Sequence, residues 1–370
     1  MRRYSRQMLL DGFGREGQQR LLQSGVMVVG AGGLGCSALT HLAGAGVGRI
    51  GILDHDIVSL ENLHRQTLYG MEDIGSRKTE AAARRLRDMN PEVEILGYSF
   101  PLSNRASLEL FPLFEVILDC TDNFPTRYLV NDACVLTGRP LVSAAVSRYE
   151  GQIAVFNIPG RDGGRPVNYR DLLPSPPAPG TVANCSEEGI LGTLPGMMGA
   201  MQAAEAIKIL TGVGEPLSGR LLSYSMKDNR FAEFTVSRSK DSHTDMPADI
   251  DAFLEKDYGS ITGNSCFAPE IGAGQMEELI ARGDTLVVDV REKDEQPALA
   301  YVEHLRIPLS AIEREGLVTN ARRVVFVCQS GARSLRAAFS VSGKAAGPME
   351  AYSLKGGVME WMRHKNERHV

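Results

Sequence analysis

The stretch Val26–Gly35, VMVVGAGGLG, together with Asp54 at the end of RIGILD, constrains the fold of this chain more than any other feature. Four apolar residues run into a glycine turn, then into LGCSALTHLAGAGV, whose apolar positions recur at helical spacing. Strand, glycine turn, helix is the order in which a nucleotide phosphate can rest on a helix N-terminus, where unpaired N–H groups and the helix dipole favour an anion. Gly30 permits the tight turn, Gly32 and Gly33 let the backbone approach an anion with no Cβ in the way, and Gly35 lets the helix pack close to the strand. Asp54 is placed to accept hydrogen bonds from ribose hydroxyls. At this stage NAD and ATP both satisfy the pattern, and a structural glycine turn satisfies it with no ligand at all.

The alternation continues downstream. Residues 3–23 are basic and polar with a few apolar anchors, read as short helices; Arg6 among them reads from composition alone as a solvated charge. HDIVSLENLHRQTLYG is a loop too polar for core, in which Asn62 and Arg65 stand out. SRKTEAAARRLRDMNP reads as a helix with Ser76 near its start and Pro91 past its end, which puts Lys78 in the first turn. EVEILGYSF, FEVILDCTDN, PLVSAAVSR and GQIAVFNI read as strands, with SNRASLELF a short helix between the first two. Strands alternating with helices predict a Rossmann-like doubly wound α/β sheet, mostly parallel, whose ligands lie at the carboxyl ends of the strands. Asp54, Lys78 and Asp122 all fall at that edge.

From Pro159 the chain becomes rich in Pro and Gly without sustained period, a long loop that contains Cys185. A helix follows over about Leu194 to Leu210, then RLLSYSMKD and RFAEFTVSR as a closing antiparallel pair. The pattern divides the chain into a nucleotide-binding domain over 1–240, a polar and acidic linker over 241–268, and a small second α/β domain over 269–370. In the last, CQSGARS places Cys328 at a strand end, in a short loop that opens a helix.

A chain of 370 residues accommodates two domains of ordinary size. Its formal net charge of −5 gives no global attraction to nucleic acid or to an anionic membrane. No apolar run is long enough to span a bilayer, and the first residues lack a signal peptide's apolar core, so the expected location is cytoplasmic. Cysteines 36, 120, 134, 185, 266 and 328 are then mostly reduced, and each is a candidate nucleophile.

Cations gathered at a nucleotide site neutralise polyphosphate charge, and an aspartate there suits a metal bridging phosphate oxygens. Hydride transfer develops no phosphate charge, so Arg65 and Lys78, with Arg6, favour ATP over NAD. Such a site can bring a carboxylate onto the α-phosphorus and release pyrophosphate; the acyl adenylate is then suited to capture by a thiol.

RYSRQ, GAGGLG, LDHDIVSLENLHRQ, the lysine of SRKTEAA, DCTDN, and NCSEEGILGTLPG with MQAAEAIK together resemble the MoeB/ThiF/HesA superfamily, the bacterial relatives of ubiquitin-activating enzymes. The resemblance covers roughly residues 1 to 240. It implies adenylation by ATP of the C-terminal Gly-Gly carboxylate of a ubiquitin-like sulfur carrier protein. Carried over motif by motif, Gly33 belongs to the phosphate loop with Gly30 and Gly32, and Asp54 holds the ribose. Glu61, Asn62, Leu63, His64 and Arg65 form a nucleotide-binding run, in which Asn62 and Arg65, with Lys78, contact phosphates. Asp122, followed by Asn123, sits at a magnesium ion. Arg6 matches an arginine that reaches the active site of the other subunit of a homodimer, and Cys185 a loop cysteine that captures the activated carrier.

VVDVRE, CQSGARS and LKGGVMEW resemble a single rhodanese domain, with a persulfide loop of Cys328, Gln329, Ser330, Gly331, Ala332 and Arg333. Backbone N–H groups of such a loop would lower the thiol pKa and hold a persulfide's charge. The usual rhodanese stretch around GHIPGA is shortened to HLRIPLSAI, which alters the donor-facing rim. The resemblance implies a persulfide donor, such as a cysteine desulfurase, and a carrier thiocarboxylate as product. Many relatives hold a structural zinc with two CxxC pairs; the corresponding stretches read NYRD (Asn168–Asp171) and SHTD (Ser242–Asp245), so zinc is not expected. Three other readings compete: an activating enzyme for protein conjugation with a vestigial rhodanese unit, an NAD-dependent oxidoreductase, and a non-catalytic nucleotide sensor.

Overall fold

The computed structural model describes residues 1–160, 163–175, 189–239, 245–261, 270–319, 321–331, 333–334, 337–338, 341 and 350–368. Two compact units meet in the sequence between Tyr258 and Gly259.

The first unit is built on β1 (Gly25–Val29), β2 (Arg49–Leu53), β3 (Glu94–Tyr98), β4 (Val116–Asp119), β5 (Leu141–Ser147), β6 (Glu150–Phe156), β7 (Arg220–Ser225) and β8 (Arg230–Thr235). They form one sheet in the order β3-β2-β1-β4-β5-β6-β7-β8. The strands from β3 to β5 are parallel, and β6, β7 and β8 run antiparallel to their neighbours. The antiparallel part thus begins one strand earlier than the expected closing pair, because Arg148 and Tyr149 alone join β5 to β6 and two residues cannot make a parallel crossover.

Helices α1 (Gly14–Gln23), α2 (Gly33–Ala45), α3 (Lys78–Met89), α4 (Asn104–Leu110), α5 (Phe124–Thr137), α6 (Tyr169–Leu172) and α7 (Thr193–Thr211) cover the sheet. All five residues of β1 are buried, which is why its sequence is continuously apolar rather than alternating. The core joins Val26, Val28, Ile50, Ile52 and Leu118 of the strands to Leu39 and Leu42 of α2. The Ser37 hydroxyl of α2 donates to the Gly196 carbonyl of α7 at 2.6 Å, so these two helices are locked side by side. The chain leaves β1 in one direction for β2 and β3 and returns to β4 on its other flank. The crevice between β1 and β4 is therefore the switch point at which such sheets bind ligands.

Two segments differ from expectation. Within the long loop, Asn168 caps α6, its side chain accepting from the Arg170 N–H. Part of the expected linker is helical: α8 (Ile250–Glu255), capped by Asp249, and α9 (Tyr258–Ile261). Phe253 is fully buried, and the Phe253 and Lys256 carbonyls accept from Asn104 Nδ2 at 2.5 and 2.8 Å. A few apolar anchors spaced through an acidic stretch are enough to seat it on the first unit.

The second unit holds β9 (Glu270–Ile271), β10 (Thr285–Asp289), β11 (Leu305–Arg306), β12 (Arg323–Val327) and β13 (Glu350–Leu354), all parallel, in the order β11-β10-β12-β13-β9. With it are α10 (Ala273–Ala281), α11 (Leu309–Glu315) and α12 (Gly357–Arg368). Apolar clusters lie on both faces of this sheet, around Phe326 on one and Trp361 on the other.

Candidate functional site

At the switch point the backbone turns at Gly30, whose φ of 96° belongs to the left-handed region. A Cβ there would stand 2.8 Å from the Cys120 carbonyl oxygen, and one on Gly35 only 2.0 Å from the Gly30 carbonyl oxygen. Gly35 thus serves the turn itself as well as the seating of α2. Asp54 Oδ2 accepts from the Ala31 N–H at 2.7 Å and Oδ1 from the Asp56 N–H at 2.8 Å, while the Tyr69 hydroxyl donates to the Ala31 carbonyl at 2.9 Å. The start of α2 has no side-chain cap, leaving its first N–H groups to an anion.

Lys78 opens α3. Its side chain is 6% exposed, and its ammonium lies 2.8 Å from Asp56 Oδ2. Asp56 is the residue that the sequence reading missed; the only signal for it was its place two residues after Asp54, on the same side of an extended chain. The loop over 59–66 brings Arg65 Nη2 to Asn62 Oδ1 at 2.6 Å and Arg65 Nη1 to the Glu61 carbonyl at 3.2 Å, with Nδ1 of the exposed His64 ring donating to the same carbonyl at 3.2 Å. Leu63 packs against the core. Pro195 of α7 sits against Gly33, 3.0 Å from where a Cβ would stand. Turn, loop and helix start are therefore one assembly.

Asp122 is exposed and lies just beyond β4, next to the turn. Asn123 caps α5 through the Thr126 N–H at 3.0 Å, and its amide reaches Asp122 Oδ1 at 3.5 Å. Beside them opens a cavity of ≈ 350 Å³ lined by Asp122, Arg127, Ser143, Gln152, Phe156 and Leu173. Arg6 is not brought here. Its neighbour Gln7 donates to the Ala45 carbonyl at 2.8 Å, at the far end of α2, roughly 20 Å from Gly33 at 1.5 Å per residue. Cys185 lies outside the described residues. Of the other thiols of this unit, burial pushes Cys36 up to about 12 and Cys120 and Cys134 well above their ordinary value, so none of these three is a ready nucleophile.

The NYRD stretch carries ion pairs instead of thiols. Asp171 accepts from Arg165 Nη1 and Nη2 at 2.7 and 2.6 Å, from the Asn168 N–H at 2.9 Å and from the Ser239 N–H at 2.7 Å. Burial would raise its pKa, but those partners hold the carboxyl below its usual range. Arg170, fully buried, pairs with Asp132 through two 2.8 Å bonds, and the Tyr258 hydroxyl donates to the same carboxylate at 2.7 Å. With Asp171 saturated by donors and a guanidinium beside it, zinc does not fit the side chains of Asn168–Asp171. Of the SHTD stretch, residues 242–244 lie outside the description.

In the second unit, Cys328 follows β12 and is 1% exposed. Its Sγ accepts from the Gly331 N–H at 3.1 Å and lies 3.5 Å from the Ser334 hydroxyl. Burial would raise the thiol pKa; the Ser334 hydroxyl and the N–H groups of Ser334, Ser330 and Gly331 outweigh it, and the thiol is shifted down. Arg333 makes two 2.6 Å bonds to the Glu295 carboxylate, which holds Glu295 down at about 2. Ala332 lies outside the described residues.

A model of the ThiF family matches residues 4–245, and one of the rhodanese-like domain matches residues 272–364. The sulfur carrier protein adenylyltransferase of Thermus thermophilus is 48% identical, over 64% of this chain and 88% of that protein. The probable adenylyltransferase/sulfurtransferase MoeZ of Mycobacterium tuberculosis is 38% identical over 98% of this chain and 92% of its own length. The adenylyltransferase and sulfurtransferase MOCS3 of Mus musculus is 40% identical over 84% and 69%. Among solved structures, that of Escherichia coli MccB with ATP matches with a TM-score of 0.54 at 23% identity, covering 65% of this chain and 73% of that one, a likeness of fold. No helix among the described residues is long and apolar enough to cross a membrane.

Proposed function

The chain belongs to the ThiF family and carries a rhodanese-like domain, and from this premise we infer that it adenylates the C-terminal Gly-Gly carboxylate of a ubiquitin-like sulfur carrier and then transfers persulfide sulfur to it. The observation that carries this reading is the coexistence, in one chain, of an uncapped helix start ringed by Lys78, Arg65 and Asp54 and of a separate thiol held by loop N–H groups.

A carrier carboxylate oxygen attacks the α-phosphorus of ATP and the bond to the β-phosphate oxygen breaks, releasing pyrophosphate. The glycine turn and the N–H groups of α2 hold phosphate oxygens, and Arg65 and Lys78 face the charge that develops on them. Asp54, whose oxygens already organise the turn, orients the ribose. Asp122 would hold a magnesium ion, which when bound neutralises phosphate charge. The terminal sulfur of a Cys328 persulfide then attacks the acyl carbon of the adenylate, or of a thioester on Cys185, and AMP or the Cys185 thiolate leaves. A second thiol attacks the Cys328 sulfur of the resulting acyl disulfide, breaking its S–S bond, forming a disulfide with Cys328 and releasing the carrier thiocarboxylate. The persulfide comes from a donor protein such as a cysteine desulfurase. We place the enzyme in the cytoplasm as a homodimer, with Arg6 of each subunit serving the other's site, since within its own chain Arg6 lies at the opposite end of α2. Structural zinc has no part in this reading.

Two assays on the full chain test it. Asp122→Ala is expected to abolish carrier-dependent ATP–pyrophosphate exchange with the fold intact; near-normal exchange removes Asp122 from the reaction. Cys328→Ala is expected to keep that exchange and to form no thiocarboxylate when a persulfide donor is supplied and free sulfide excluded. Thiocarboxylate at the normal rate in that variant would leave adenylation standing and defeat the sulfur relay.

A further inference from the structure

The loop that surrounds Cys328 is held from one side by a single short segment. β10 ends at Asp289, and the chain then runs alongside the loop through Arg291 and Glu295. Arg291 is fully buried, with its guanidinium bonded twice to Asp289, at 2.9 and 2.8 Å, and to the Pro297 carbonyl at 2.8 Å. The same Nη1 reaches the loop, donating to Gln329 Oε1 at 3.1 Å. Four residues after Arg291 the direction of the tie reverses: Glu295 receives both Nη groups of Arg333 from the loop, at 2.6 Å each. One tether grips the residue directly after Cys328, the other the last residue of the CQSGAR run. Between them lie Ser330 and Gly331, whose N–H groups face the sulfur.

We propose that Arg291 and Glu295 are positioning residues for sulfur transfer, fixing both ends of the Cys328 loop so that its N–H groups converge on the sulfur. The physical reason is entropic and electrostatic together. A six-residue loop pinned only by its backbone samples many conformations, few of which aim successive N–H groups at one atom. Pinning one end by the Arg291 bond to Gln329 and the other by the bidentate Arg333–Glu295 pair restricts it to the converging set. Neither residue touches the sulfur; each acts through the loop. The inference rests on the reading of Cys328 as the sulfur-bearing thiol.

The test follows the rate of Cys328 alkylation by iodoacetamide against pH in the full chain, with the Cys328 peptide quantified by mass so that the other thiols do not interfere. In Glu295→Gln and in Arg291→Lys the apparent pKa is expected to rise by about half a unit or more toward that of a free thiol, because loop N–H groups are no longer held on the thiolate. Glu295→Asp, which keeps the charge, is expected to recover part of the shift. Trp361→Phe loosens the core on the sheet face opposite the one that holds Cys328, so a purely structural effect would shift its profile as well; its profile is expected to match the wild type. Superimposable profiles for Glu295→Gln and the wild type overturn the proposal even if Arg291→Lys fails to fold. A wild-type Cys328 that titrates as an ordinary free thiol instead overturns the reading of the sulfur loop, and this inference with it.

Discussion

Lys78 carries its charge into a place where little of its side chain meets water, and Asp56 is the group that makes this possible. The pair presets the ammonium beside the glycine turn before any phosphate arrives. Lys78→Ala is therefore expected to slow pyrophosphate exchange by more than a hundredfold, since several kcal/mol of transition-state stabilisation depend on a charge already in place. Asp56→Ala leaves the same ammonium without its partner; because Asp56 itself is half exposed, we expect a cost of about 1 kcal/mol, read from a denaturant midpoint at pH 7. Glu295 gives a pH signature. Its carboxyl titrates from about 2 in the folded chain against 4.5 for the free group, so its pairing stabilises the native state in full above 4.5 and that contribution is lost as pH falls toward 2. The melting-temperature gap between wild type and Glu295→Gln is expected to be widest near neutrality and to close over that acid window. A gap that widens in acid would show that the pair does not work as drawn.

At the level of elements, the proposed nucleotide site is an agreement between β1, the loop over 59–66, and the starts of α2, α3 and α7. Glycine marks the close contacts. Gly35→Ala places a methyl group against the Gly30 carbonyl, a contact that only movement of the turn relieves. Overpacking of this kind costs about 1–3 kcal/mol, and the turn it displaces is the one proposed to face the phosphates. We expect ATP affinity, followed by equilibrium binding, to fall more steeply than thermal stability does. The alternation of apolar strands and capped or glycine-terminated helices made these elements legible in the sequence. The direction of β6 was legible too, had the two-residue turn before it been weighed above the alternation. Helix α8 was harder to see, because Phe253 is one buried anchor in an acidic stretch and its partner Asn104 lies far away in the chain.

For the molecule as a whole, two expectations concern what holds it together and what completes it. Asp132, Arg170 and Tyr258 form a buried network joining α5, α6 and the chain after β8, and Asp171 ties Arg165 to Ser239. Removing one partner of a fully buried pair strands the other's charge, so Arg170→Met is expected to destabilise this unit by about 3–5 kcal/mol. Purified protein is expected to hold less than one equivalent of zinc, and strong chelators to leave its melting temperature unchanged. A full, chelator-resistant equivalent would reveal a ligand set outside these residues. If Arg6 completes the partner's site, then mixing Arg6→Ala with Asp122→Ala chains gives mixed dimers with one intact site each, restoring about a quarter of wild-type exchange. No recovery after confirmed subunit exchange would return Arg6 to the surface.

Local features follow from residue order alone. Glycine spacing set the turn, helical and strand periods set the elements, and residue type set which side chains could meet a phosphate or carry sulfur. Gly30, Asp54, Lys78 and Cys328 could be named because each sits at a fixed offset from an element whose period is visible. Pairings between residues distant in the chain came from the packing of the fold, because nothing in a one-dimensional pattern records which buried charge meets which. That packing gave Lys78 its Asp56, put Arg165 and Ser239 on Asp171, and set Glu295 against Arg333 at the mouth of the sulfur loop. It also put Arg6 at the wrong end of α2 for its own site, a fact of packing direction that no motif contains.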